Sequence, residues 1–164
     1  MADIRIVSIA SLEGVWADWL LRPDGTLDDT EDLVTAVRLA LLTDRLAAPR
    51  DDLPDIDSDD RRGWWGDHEA ESIWGGWPIG CKNWLLARAK IVGPEARQGS
   101  TLVRAETYTH DALRPLVEQR ICSHIAVSAE RVGRERIDVT VKLYRGPLKE
   151  IELRFQDLWR GVNV

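Results

Sequence analysis

The sequence predicts an α+β fold: a single domain in which two long helices pack on an antiparallel sheet, with a short hairpin at the N-terminus and a three-stranded meander at the C-terminus. Three observations carry this. Apolar residues recur at helical spacing in two separate stretches, 28–46 and 100–118. After Arg120 the period drops to two and stays there through three runs separated by Gly133-Arg134 and Gly146-Pro147. At 164 residues, 44% of them hydrophobic, the chain can bury one substantial core without disulfides.

The expected order is an N-terminal hairpin over 1–25, a helix over 28–46, an acidic, tryptophan-bearing loop over 47–80, helices within 81–119 and the meander over 121–159. Residues 3–7 alternate and read as a strand; Val15 to Leu21 reads as a second, ending in the turn Arg22-Pro23-Asp24-Gly25. Asp28 with Glu31 three positions later has the form of a capping box, and Asp29 and Asp32 place negative charge where a helix N-terminus is positive, so a helix is expected from Asp28 to Leu46. Leu33, Val37, Ala40 and Leu41 make one stripe of it. Val34, Ala36, Leu39 and Leu42 spread the apolar surface most of the way round, which calls for cover on several sides, from the chain's own sheet and loops or from a partner.

A second short helix is expected over Ile79–Lys90, with Trp84, Leu85 and Arg88 at neighbouring positions, stopping at Gly93-Pro94. Ser100 is placed to cap the longer helix that runs to Glu118, and Pro115 inside it removes one backbone hydrogen bond and should kink its last turn. In the meander, Ile121, Ile125, Val127 and Ala129 share one face. Ile137, Val139, Val141 and Leu143 alternate with Asp138, Thr140 and Lys142, and Ile151, Leu153 and Phe155 alternate with Glu150, Glu152 and Arg154.

The least probable stretch is Asp59-Asp60-Arg61-Arg62-Gly63-Trp64-Trp65-Gly66-Asp67. Successive side chains leave a strand on opposite faces and diverge by about 100° on a helix, so Trp64 and Trp65 cannot both enter one core from a regular element. Gly63 and Gly66 allow positive φ or close backbone approach, and large amphipathic anchors with arginines beside them are typical of protein interfaces. A loop folded back so that both rings cap the domain's own core is the other open reading.

Net charge is −6, and seven aspartates against two arginines between Asp51 and Asp67 leave that stretch at −5. With no basic stripe elsewhere, the electrostatic footprint of a nucleic-acid binder is missing. Asp55-x-Asp57-x-Asp59 opens like a calcium loop, but the sixth position is Asp60 where glycine is required and the twelfth is Gly66 where glutamate is required, so it is not an EF-hand. A solvated acidic tip partly neutralised by Arg61 and Arg62 is expected there, with no metal and no cofactor.

No apolar run reaches the ~20 residues of a membrane helix, and Met1-Ala2-Asp3-Ile4-Arg5 is not the start of a signal peptide. Cys81 and Cys122, 41 positions apart and outside any CxxC, read as buried free thiols. No G-x-S-x-G, HExxH, phosphate-binding glycine loop or GxGxxG is present, and His68, His110 and His124 are isolated. Neither catalysis nor a small-molecule substrate has positive support in the residues.

Several stretches together resemble a known family. Thr35-Ala36-Val37, Leu42-Thr43-Asp44-Arg45, Asp60 to Asp67, Gly80, Trp84-Leu85-Leu86, Tyr108, Ala112-Leu113 and Leu143-Tyr144-Arg145 are similar to the Mu-like phage protein family named for gene product forty-six, over nearly the whole chain. That family resembles, more distantly, the T4 baseplate wedge protein twenty-five and the type VI secretion baseplate component of the same fold. The resemblance implies a structural part of a contractile-tail baseplate, made in the host cytoplasm and resident in the virion tail. Its implied partners are other wedge and hub proteins and the tail sheath, whose first ring it would help seed. Where those relatives carry Glu-Pro-Arg between helix and sheet, this chain reads Glu118-Gln119-Arg120, matching the charged members and not the proline. The resulting expectation is a partner interface drawn from Arg61, Arg62, Trp64, Trp65, Asp67, Glu118 and Arg120, and a Cys122–Trp159 sheet that accepts or donates strands. The alternative carried with it is a tail-associated, lysozyme-like peptidoglycan hydrolase, which would need a pocket holding two carboxylates with one raised pKa.

Overall fold

A computed structural model describes residues 5–11, 14–29, 32–69, 72, 79–89, 100–132, 136–146 and 148–156. The class is mixed α+β, as expected. Its contacts sort into two compact units, one ending at Leu39 and one beginning at Ala40.

The first unit holds an antiparallel hairpin, β1 (Ile6–Ser11) with β2 (Gly14–Trp19), in which Ile6 pairs with Trp19 and Ser11 with Gly14. The first strand therefore lies further along than the expected 3–7; residues 1–4 lie outside the described part of the chain. Beyond β2 the Arg22–Gly25 turn closes as predicted, with the Gly25 N–H donating to Arg22 O at 2.9 Å and a bridge between Leu21 and Leu27.

Helix α1 spans Asp32–Leu42, shorter at both ends than the expected Asp28–Leu46. The Asp28 side chain is buried and faces Arg5 at 3.3 Å and Arg22 at 3.9 Å. Glu31, the other half of the expected capping box, lies outside the described residues. At the far end, Thr43 O accepts from Cys81 N–H at 2.9 Å and Arg45 N–H donates to Cys81 O at 3.1 Å. These backbone groups would have served the next helical turn, and their engagement by a segment 37 positions away ends the helix. Leu33, Val37 and Leu41 are buried as the stripe predicted, Val34 and Ala36 are half-buried, and Leu39 and Leu42 are exposed.

In the second unit, the Ile79–Lys90 helix is reduced to one 3₁₀ turn, Asn83–Leu86, all four residues buried. Ala47, Trp84 and Leu85 form a buried cluster with Leu53 and Tyr108 packed against it. Helix α2 spans Thr101–Glu118; the Ser100 hydroxyl accepts from Val103 N–H at 3.3 Å, the cap expected of it, and the helix runs through Pro115. Ala105, Thr109, Ala112 and Leu113 are its buried face. Inside, Asn83 Nδ2 donates to Thr109 Oγ1 at 3.0 Å, which pairs two buried polar side chains away from water. Cys81 and Cys122 are buried free thiols, and burial pushes the Cys81 thiol up to about 12, leaving it protonated and unreactive.

The meander is β3 (His124–Val132), β4 (Arg136–Arg145) and β5 (Leu148–Gln156), in that spatial order and antiparallel throughout. Ile125 pairs with Leu143 and Val139 with Phe155. Ile137, Val139, Val141 and Leu143 are fully buried, and α2 packs over β3 and β4. Ile121 is not part of the first strand: it lies exposed in the turn before it. Trp159, the expected end of the sheet, lies outside the described residues.

Alternation misassigns one residue. Asp138 points to the face opposite α2, yet it is 0% exposed, because Arg136 Nε lies 3.0 Å from one carboxylate oxygen and Arg154 Nη2 2.7 Å from the other, their side chains covering it. Arg154 also reaches Glu130 at 2.6 Å, which ties all three strands together on that face.

Candidate functional site

The loop begins with an Asx turn in which the Asp60 carboxylate accepts from Arg62 N–H at 2.8 Å. Arg62 (φ 51°) and Gly63 (φ 93°) then follow in left-handed backbone and reverse the chain. Trp64 opens a short 3₁₀ helix, Trp65–Glu69, and Asp67 completes it reciprocally: its N–H donates to Trp64 O at 3.0 Å while its carboxylate accepts from Trp64 N–H at 3.0 Å, the returning half of a capping box. A Cβ on Gly66 would stand 2.5 Å from the Trp64 ring, so the absence of a side chain there is what lets Trp64 fold back over its own turn.

The two tryptophans meet edge to face, with centroids 5.0 Å apart and planes at 65°. Trp64 is half-buried; Trp65 is 79% exposed. The pair thus parts company, one ring turned toward the chain and the other toward solvent.

The two arginines of the motif have distinct tasks. Arg61 donates to the carbonyls of Ala48 and Pro49, and its own carbonyl accepts from Ala47 N–H, so it staples the loop to the 47–49 segment. Arg62 lies 2.6 Å from the Asp44 carboxylate with its guanidinium 4.8 Å from the Trp84 ring centroid. Trp84 Nε1 in turn donates to Arg45 O at 2.9 Å. Arg61 and Arg62 give their hydrogen bonds to carbonyls and to Asp44, so the direct partners of the acidic tip are Lys82 at Asp51 (2.6 Å) and Arg88 at Asp55 (3.4 Å), while the Arg61 charge also acts on Asp51, a part of the neutralisation expected of it. Burial alone raises the Asp51 carboxyl, but the hydrogen bonds from Lys82 and from Ala48 N–H outweigh it and hold it below the usual carboxylate range.

Leu46, Arg62, Gly63, Trp64, Trp65 and Asp67 line an open depression of about 330 Å³. Leu46 is 48% exposed, so together with Trp65 it presents apolar surface with a cation and a carboxylate at hand. Among the described residues no group of three or more His, Cys, Asp or Glu could hold a metal ion. No helix among them is long and apolar enough to cross a membrane.

Glu118 and Arg120 belong elsewhere. Arg120 N–H donates to Val117 O and Ile121 N–H to Leu116 O, at 2.9 and 2.8 Å, which is a Schellman closure of α2 with Arg120 in the left-handed position (φ 59°) that glycine usually fills. Glu118 pairs along the helix with Arg114 at 2.9 Å. Arg120 lines a second depression, about 350 Å³, with Val117, Ile121 and Arg145, which shares no residue with the first. Arg62 and Arg120 are the only non-glycine residues at positive φ among those described, and both were picked out from the sequence. Arg120→Gly is expected to stabilise the chain by about 1 kcal/mol, since a left-handed L-residue costs roughly that much, while lowering incorporation into its assembly; paired urea melts and incorporation assays check the two halves.

Asp44, Leu46, Gly80 and Trp84 complete the first site; Asp44, Gly80 and Trp84 lie in the stretches that carry the family resemblance, but none of the four belongs to the partner interface expected from the sequence. Gly80 has φ +117° and packs so closely on the chain that a Cβ would lie 2.9 Å from both Arg45 N and Thr43 O. The only local signals were Asp60 two before Arg62 and Asp67 three after Trp64; nothing in the neighbourhood of Asp44 marks a partner 18 positions ahead.

The family model for phage protein GP46 matches residues 33–148, a range that contains both depressions. Over 162 residues, 99% of this chain and the whole length of the relative, the sequence is 37% identical to the baseplate protein gp46 of Escherichia phage Mu.

Proposed function

The chain belongs to the phage protein GP46 family, and from that premise we propose that it is a non-enzymatic structural part of a phage tail baseplate that docks on its neighbours through Trp65. The observation that carries the docking role is the contrast within one loop. Arg61, Arg62, Trp64 and Asp67 are each fastened to the chain, whereas Trp65, rigidly mounted among them, presents most of its ring to solvent. A large aromatic held in place loses little conformational entropy on binding, which is what a binding hot spot requires. Leu46 extends the same surface, and Arg120, kept in a backbone conformation costly for it, supplies a cationic point in the second depression.

The finer reading is that the baseplate is that of a contractile tail, that the Trp65 surface meets wedge and hub proteins, and that the β3–β4–β5 sheet shares strands with the first layer of sheath. An open meander supports it, because its outer strands leave backbone groups that a neighbour's strand can pair. The tail-associated hydrolase is not favoured: the matched family and relative carry no enzymatic description. The test is affinity purification of the tagged chain from cells producing its phage. Tail proteins should co-purify in fixed ratio; recovery of the chain alone, as a monomer, would remove the baseplate role.

A further inference from the structure

The two outer strands of the sheet are not equivalent. Strand β5 is protected in the manner of natural edges: a register shift at Leu143/Tyr144 interrupts its ladder with β4, and its sequence, Leu148 to Gln156, includes two glutamates, a lysine and an arginine. Strand β3 is not. Its first six residues, His124-Ile125-Ala126-Val127-Ser128-Ala129, contain no lysine, arginine, aspartate or glutamate.

One hydrogen bond tells which backbone groups of β3 turn outward. Ala129 N–H donates to Glu106 Oε1, on α2, at 2.8 Å, so it is not directed at β4. In an antiparallel ladder, residues alternate between those that exchange both backbone bonds with the partner strand and those whose N–H and C=O turn away. Ile125 and Val127 share the parity of Ala129, and their N–H and C=O therefore face out from the edge. Beside them an open groove of about 430 Å³ is walled by His124–Val127 on one side and by Glu106, His110 and Asp111 of α2 on the other. Its lining contains two carboxylates and neither lysine nor arginine.

Resting on the strand-sharing reading above, we infer that β3 is the accepting edge and that its occupant is an extended segment of a partner chain. That segment pairs with Ile125 and Val127 and carries a lysine or arginine to the Glu106 and Asp111 carboxylates. Glu106 also marks where pairing ends: its carboxylate already holds the next outward N–H, at Ala129, so the added strand is short and its register is set. The charge requirement follows from the groove's own sign, since an acidic or neutral segment would leave both carboxylates facing a newly desolvated wall without a counter-charge.

Residue-resolved amide hydrogen exchange, run on the isolated chain and on purified baseplates that contain it, tests this. The Ile125 and Val127 amides should exchange freely in the isolated chain and slow at least about tenfold in the baseplate, while Ala129 stays unchanged. Slowing confined to β5, or Ile125 and Val127 already protected in the isolated chain, would overturn the β3 assignment and leave strand sharing standing. Amides of neither edge slowing would overturn strand sharing itself. The charge requirement is tested by Glu106→Gln with Asp111→Asn, in which the glutamine oxygen still accepts from Ala129. Half-saturation in reconstituting tails that lack the chain should rise about fivefold and lose most of its salt dependence; unchanged half-saturation and salt dependence would overturn it.

Discussion

Gly80→Ala is expected to destabilise the chain by about 2–4 kcal/mol, which in a protein of this size lowers the melting temperature by roughly 5–15 °C. Two costs combine. The backbone at φ +117° lies where only glycine is comfortable, and a methyl group would come within 2.9 Å of Arg45 N and Thr43 O, which are backbone atoms with no rotamer by which to retreat. Those two groups carry the bonds to Cys81 that end α1 and set the path of residues 43–47. Displacing them disturbs Asp44, the partner of Arg62, and Leu46, a wall of the Trp65 depression, so the loop should loosen along with the fold. Gly146→Ala separates the two costs. Gly146 also has positive φ, +74°, but nothing lies within 4 Å of the added Cβ, so its loss should be about 1 kcal/mol. Equal losses at the two positions, measured by urea denaturation, would show that the close approach at Gly80 is not what holds the segment.

Trp65→Ala is expected to leave the isolated chain close to wild-type stability and to weaken its assembly by 2 kcal/mol or more, about 30-fold in affinity. The ring gives up only an edge contact with Trp64, of the order of 1 kcal/mol, and little buried area. Trp64→Ala should behave in the opposite sense. It removes a half-buried ring folded over Gly66, and should cost the fold about 2–3 kcal/mol. Melting curves and incorporation into tails, measured for both variants, separate the roles. Normal incorporation of Trp65→Ala would end the case for that residue as the docking anchor, whatever the family membership of the chain.

The motif around these residues is mostly scaffolding. Arg61, Arg62, Gly63, Trp64, Gly66 and Asp67 spend their chemistry on the loop itself: carbonyls, a counter-carboxylate, a turn, a ring over a glycine and a cap. A sequence signature so dense need not mean that every member touches a partner. Here it holds one exposed tryptophan in a fixed orientation, and preorganisation of that kind is how a single residue comes to dominate an interface.

What could be read without coordinates was whatever a residue shares with neighbours a few positions away. The period of two placed Ile137, Val139, Val141 and Leu143 on the buried face, the helical period and Ser100 placed α2, and two adjacent tryptophans were enough to require that they part company. What needed the tertiary structure was every outcome decided by a group far along the chain. Cys81 stops α1 at Leu42, Arg5 and Arg22 gather on Asp28, Arg136 and Arg154 cover Asp138, and Glu106 reveals which amides of β3 face out. Periodicity is a property of local backbone geometry and survives in the sequence. The choice among competing partners for a carboxylate or a backbone N–H is made only when the chain closes on itself and one candidate comes within about 3 Å.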